Sequence, residues 1–147
     1  MRCLLLSIVV SSVAFAPAPL YREPKPQSPA DAVKAIRGKW KVVSRTIGGE
    51  AARHSVSTLE VADGRWTYSS AKGDWRSPWT LSLDAKGKPW RFDAQSEKQA
   101  AAKMRGVCVV EGDKLTVCFT TDGEEPPGDL DGKEQGRHLD VYQRIKP

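Results

Sequence analysis

Two histidines, a late pair of cysteines and five tryptophans are the residues of this chain best able to do chemistry. His54 and His138 could serve as general bases, but a base needs a serine, cysteine or acid held within hydrogen-bond reach. Neither lies in a Gly-x-Ser-x-Gly elbow or a His-Glu-x-x-His helix. They therefore read as surface residues, one in the loop after the first strand and one opening the last. Asp129-Leu130-Asp131-Gly132-Lys133-Glu134 carries some of the oxygens of a calcium loop, yet lacks the ligand spacing and the distal glutamate. It reads as a solvated acidic loop. No catalytic residue, metal or cofactor is expected, and the chain is read as a non-enzyme.

Cys108 and Cys118 flank a tight hairpin, and their chemistry depends on its register. A three-residue loop, Gly112-Asp113-Lys114, sets them opposite each other and allows a disulfide. A two-residue loop, Gly112-Asp113, pairs Cys108 with Val117 and sends the thiols to different faces. Both alternatives are open from the sequence. Without a Cys-x-x-Cys or a nearby histidine, redox and metal chemistry are disfavoured.

Trp40, Trp66, Trp75, Trp79 and Trp90 are the most unusual feature, since each can bury roughly 150–250 Å². Alternation sets Trp66 with Tyr68, Trp79 with Leu81 and Leu83, and Trp90 with Phe92. These aromatics either form the core outright or line a small apolar pocket, whose candidates are Trp66, Tyr68, Trp79, Trp90 and Phe92.

The elements that must position these residues follow from composition and turn chemistry. The 147 residues suffice for one domain. The formal charge of +5 is spread along the chain rather than gathered in a stripe, which disfavours a nucleic-acid binder. Residues 1–16 have the form of a secretory signal peptide: Arg2, an apolar run from Cys3 to Val13, then small residues that permit cleavage after Ala14 or Ala16. The mature chain is expected in the periplasm or outside the cell, with no membrane span. Cys3 would leave with the signal. Residues 17–27, holding Pro17, Pro19, Pro24 and Pro26, read as an extended tether.

The domain is expected over 28–147. Ser28, Pro29 and Asp31 start a short helix, Val33 and Ile36 are its expected docking residues, and Gly38 stops it. Eight strands follow, near 39–46, 57–62, 65–70, 75–83, 89–94, 104–110, 114–120 and 137–145, separated by glycine-containing turns. In the first, Trp40, Val42 and Ser44 share one face, and Lys39, Lys41, Val43 and Arg45 the other. Its basic residues read as solvated barrel exterior. Leu139 and Val141 are the expected inward residues of the last strand. Residues 95–103 read as a mobile loop or a turn of helix, and 121–137 as a long flexible loop. Eight sequential antiparallel strands point to an all-β up-and-down barrel, because closure removes both unpaired edges.

Gly38-Lys39-Trp40 after a short helix resembles the Gly-x-Trp signature that opens the first strand of lipocalins and other calycins. Ile36–Ser44, Gly112-Asp113-Lys114-Leu115 with Cys118-Phe119, and Leu139–Arg144 are more closely similar to an uncharacterised exported domain family of planctomycete bacteria. The resemblance covers about residues 34–146 and implies a lipocalin-like barrel without supplying an activity. It also implies that Arg144 lies across Trp40 and closes the base beside Gly38. The late loop departs from the family, with Pro126-Pro127-Gly128-Asp129-Leu130 in place of a Glu-Phe-containing segment. The expected function is non-catalytic binding of a small, partly apolar ligand at one barrel mouth. The alternative is a structural or protein-interaction domain with a side-chain-filled barrel. Ligand identity, protein partners and oligomeric state are not legible.

Overall fold

The computed structural model describes residues 28–53, 55–121 and 124–146. The signal peptide expected over 1–16, the tether over 17–27 and His54 lie outside the described residues.

The chain opens with α1 (Pro29–Ile36), started by a capping box in which Ser28 and Asp31 each accept from the other's backbone N–H. Ala32 and Ile36, one turn apart, are the buried stripe. Val33 is 52% exposed, so the expected docking residue faces solvent instead. The helix also ends differently. Arg37 is its extended C-cap, and Gly38 begins the next strand at φ +133°.

Nine strands follow: β1 (Gly38–Ile47), β2 (Glu50–Ala51), β3 (Val56–Ala62), β4 (Arg65–Ser70), β5 (Arg76–Asp84), β6 (Trp90–Ser96), β7 (Lys103–Glu111), β8 (Lys114–Thr121) and β9 (His138–Arg144). Each longer strand pairs antiparallel with its neighbour in sequence, and β9 returns to β1, closing an eight-stranded up-and-down barrel. The two-residue β2 pairs with the far end of β1. The turns do what their residues allow. Asp63 and Gly64 both take positive φ in the β3–β4 hairpin, while in the β7–β8 hairpin positive φ falls on Gly112.

Two features of the wall depart from simple alternation. Val42 pairs with Tyr142 but Ser44 pairs with Val141, so Val43 is an extra residue, 62% exposed. This bulge reverses the inside and outside of β1 beyond it. Ser44 therefore faces out with Val141, and Arg45, expected on the exterior, turns inward opposite Asp140. In β9 the inward series is His138, Asp140, Tyr142 and Arg144, not Leu139 and Val141. Asp140 and Tyr142 stand opposite the inward Val117 and Leu115 of β8 and are fully buried.

Both long connections are packed. Ser96 Oγ accepts from the backbone of Lys98 and Gln99, forming a tight turn between β6 and β7. The segment after β8, expected as a flexible loop, lies as a strap on the outer wall in its described part. The Glu124 carbonyl accepts from Arg105, the Glu125 carbonyl from Thr120, and Gly132 packs against Leu139. Val107 and Cys118, opposite each other on the outer face of β7 and β8, are buried.

Candidate functional site

The barrel has two unlike poles. At the first, α1 is held by the strands it covers. Trp40 Nε1 donates to the Ile36 carbonyl at 2.9 Å, and Arg144 donates to the carbonyls of Ala35 and Arg37 at 2.7 and 2.8 Å. These carbonyls are among those a helix C-terminus leaves without intrahelical partners. The Arg144 guanidinium lies 4.0 Å from the Trp40 ring centroid, a cation–π distance. A Cβ on Gly38 would sit 3.0 Å from Arg144 Nη1, so the glycine leaves room for this stack.

Above that seal the interior is packed aromatic and aliphatic. Trp66 stacks on Phe92, with centroids 5.2 Å apart, and Trp90, Leu59, Leu115 and Val117 are fully buried beside them. Of the sequence-derived pocket candidates, Trp66, Tyr68, Trp90 and Phe92 thus belong to the core, and the partly buried Trp79 packs against it. Tyr68 and Trp79 extend toward the opposite pole. Tyr68 meets Trp66 edge-on at 6.0 Å, and the partly exposed Trp79 donates to Ser77 Oγ at 3.1 Å.

Near that second pole is a polar cluster the sequence reading missed. Asp140, 0% exposed, accepts from Arg45 Nε at 2.6 Å, from Arg45 Nη2, and from the Tyr142 hydroxyl at 2.6 Å. The Arg45 side chain retains 15% exposure, so the buried carboxylate is reached by a cation at the edge of solvent. Burial opposes the Arg45 charge, but the hydrogen bonds and charge of Asp140 outweigh it and hold the guanidinium protonated. Burial, and next the Asp140 charge, push the Tyr68 hydroxyl up. Burial and then Tyr68 and Asp140 do the same to Tyr142. His138 stacks on Phe119 at 4.8 Å; burial and then Arg45 pull its pKa down, favouring the neutral ring.

Three buried atoms in and beside this cluster have no hydrogen-bond partner: Trp66 Nε1, the Tyr68 hydroxyl and His138 Nδ1. The Tyr68 hydroxyl nonetheless faces both the Trp66 indole N–H and the Tyr142 hydroxyl, so a chain of polar groups runs from Trp66 toward Asp140. One sequence signal could have exposed the cluster. If Arg144 lies on Trp40, then Asp140 and Tyr142 share its face.

The cysteines are settled by register. Glu111 pairs with Lys114, a two-residue loop, and Cys108 pairs with Val117. The thiols are free and occupy opposite faces, Cys108 in the core and Cys118 under the strap. Burial raises Cys108 to about 12 and Cys118 to about 11. Two surface grooves lie on the outer wall. One of about 560 Å³ runs over β5–β8, and one of about 630 Å³ lies between β6–β7 and the strap. Arg91, Asp93, Arg105, Glu125 and Glu134 give the second groove mixed charge. Among the described residues no cluster of acids, histidines and cysteines could hold a metal, and no helix is long and apolar enough to cross a membrane.

Comparison of the chain with protein-family models, with curated proteins and with solved structures returns no match.

Proposed function

We propose that this chain is an exported, non-catalytic, lipocalin-like barrel that binds a small, partly apolar ligand at the pole opposite α1. The observation that carries the reading is the polar cluster of Arg45, Asp140, Tyr142 and Tyr68 near that pole, which reaches solvent at the edge of Arg45. The aromatic surfaces of Trp79 and Tyr68 supply the apolar contact expected of a small-molecule site. The charged start, apolar run and small residues of 1–16 support export, and the three motifs over 34–146 support kinship with the planctomycete domain family.

Native mass spectrometry of the protein purified from its own host tests this reading directly: a retained molecule of a few hundred daltons is expected. Tryptophan emission should also shift when a micromolar apolar probe is added. A ligand-free mass together with unchanged emission would refute the reading. A side-chain-filled barrel acting through its surface is the second reading. It is favoured by the Trp66–Phe92 stack, which closes the middle of the interior.

A further inference from the structure

We propose that His138 is an acid-sensitive latch where the strap rejoins the barrel: neutral, it pins the start of β9, and on taking a proton it lets that end fray and uncover Cys118. The latch works whether or not the barrel holds a ligand.

Strand register puts the parts of the latch side by side. His138 pairs with Phe119 of β8 and with Ile47 of β1, and its ring stacks on Phe119 with centroids 4.8 Å apart. The next pair along the same ladder is Leu139 with Cys118. Leu139 faces outward and carries the strap: a Cβ on Gly132 would come within 2.5 Å of Leu139 Cβ. The fully buried Cys118 thiol donates to the Asp131 carbonyl of the strap at 3.8 Å. Arg137, immediately before His138, ties this limb together through Asp129 and Glu134. A fray that starts at His138 therefore needs one further residue, Leu139, to remove the strap's footing over the thiol. The Arg45–Asp140 pair, at the next inward position of β9, stops the fray there.

The surroundings of the ring decide which charge state the closed end accepts. His138 Nδ1 is buried with no hydrogen-bond partner, and a charged imidazole has two N–H donors to satisfy. Charged groups face it from three elements. Arg45 of β1 opposes a positive charge, whereas Asp140 of β9 and Glu124 of the strap favour one; β8 contributes the uncharged Phe119 ring. Asp140 is already engaged by Arg45 and Tyr142, and the Glu124 carboxylate lies against Gly136. Burial and Arg45 prevail, so the neutral ring is the form that fits. Freed from the barrel, an imidazole charges near its usual value of about 6.5. The frayed end thus binds protons better than the closed one. Closure is complete at higher pH and weakens as pH falls through about 6.5.

The test labels the folded chain with 4,4′-dithiodipyridine, a thiol reagent that still reacts in mild acid, and locates the label by peptide mass spectrometry. Each rate is divided by that of the urea-unfolded chain at the same pH, which removes the pH dependence of thiol and reagent. Between pH 7.5 and 5.5 the Cys118 ratio should rise several-fold, with about tenfold as the ceiling for one proton on a group of pKa about 6.5. Cys108, in the core, should keep its ratio. His138→Phe keeps an aromatic ring against Phe119 and should hold the Cys118 ratio level over this range. His138→Gln, neutral but unable to stack, should raise it at both pH values alike. The ring itself is followed by its ¹H–¹³C signal, assigned by its loss in His138→Phe, and should titrate below 6.5 in the folded chain.

A Cys118 ratio that ignores pH in the parent, or that rises equally in His138→Phe, would overturn the latch. Titration of His138 at or above its ordinary value would overturn the preference of the closed end for the neutral ring. Equal gains at Cys118 and Cys108 would mean that acid loosens the whole barrel and that no local latch exists.

Discussion

Replacing Asp140 by asparagine keeps the shape of the side chain and removes its charge. In the parent, the carboxylate is fully buried and takes two bonds from Arg45 and one from Tyr142. The amide leaves one oxygen to accept and turns an NH₂ toward donors, so at least one guanidinium N–H or the Tyr142 hydroxyl loses its acceptor. Breaking one side of a buried ion pair costs about 3–5 kcal/mol. Arg45 keeps 15% of its side chain in solvent and can recover some hydration, which puts the loss near the lower end, about 3 kcal/mol. With a urea slope of about 1–3 kcal/mol per molar, the unfolding midpoint should fall by about 1–3 M. The double variant Arg45→Met with Asp140→Leu should recover most of this loss, because neither charge is then buried alone. Urea unfolding followed by tryptophan fluorescence measures both. An Asp140→Asn midpoint equal to the parent's, or a double variant as unstable as the single, would show that the inward turn of Arg45 is misjudged.

Gly106→Ala should destabilise by about 3 kcal/mol or more, because a Cβ there would lie 2.1 Å from the Cys118 carbonyl oxygen and 2.7 Å from Phe119 Cα, both backbone. Gly87→Ala, with open space around it, should melt as the parent does, and equal melting of the two variants would contradict the β7–β8 approach. Arg144→Lys loses the planar stack on Trp40 and one of the two carbonyl bonds to α1, worth about 1–2 kcal/mol. Faster amide exchange in α1 is the expected signature, and unchanged protection there would refute it. Raised thiols bind their protons more tightly folded than unfolded, so their contribution is complete below about pH 9 and declines as pH climbs toward 11 and 12. The buried tyrosines, also raised, act in the same direction. The melting temperature should fall steadily above pH 9, whereas a flat profile to pH 11 would contradict the burial of both cysteines.

The barrel was legible because its signals are local. Turn glycines, alternating strands and a capped helix each need only a few neighbouring residues to be recognised. What escaped depends on pairing. A bulge is invisible in one strand read alone, so Arg45 was placed outside on good alternation. Asp140 lost to Leu139 and Val141 because apolar residues are the default occupants of an interior, and only its pairing with Arg45 makes burial tolerable. The glycine at 106 carried no turn signal, since its reason is the backbone of a strand that follows it. The strap was read from composition, which does not say that Val107 and Cys118 offer an apolar surface for it to cover. Of the candidate site, the aromatics were visible and the polar groups were not.

The seal formed by α1, Trp40 and Arg144 joins the first described helix to the last strand at a single pole. A chain continuing from either side of the domain departs there. Anything the protein were attached to, by either route, would hold it like a cup by its foot, with the solvent edge of the Arg45–Asp140 pair at the far rim.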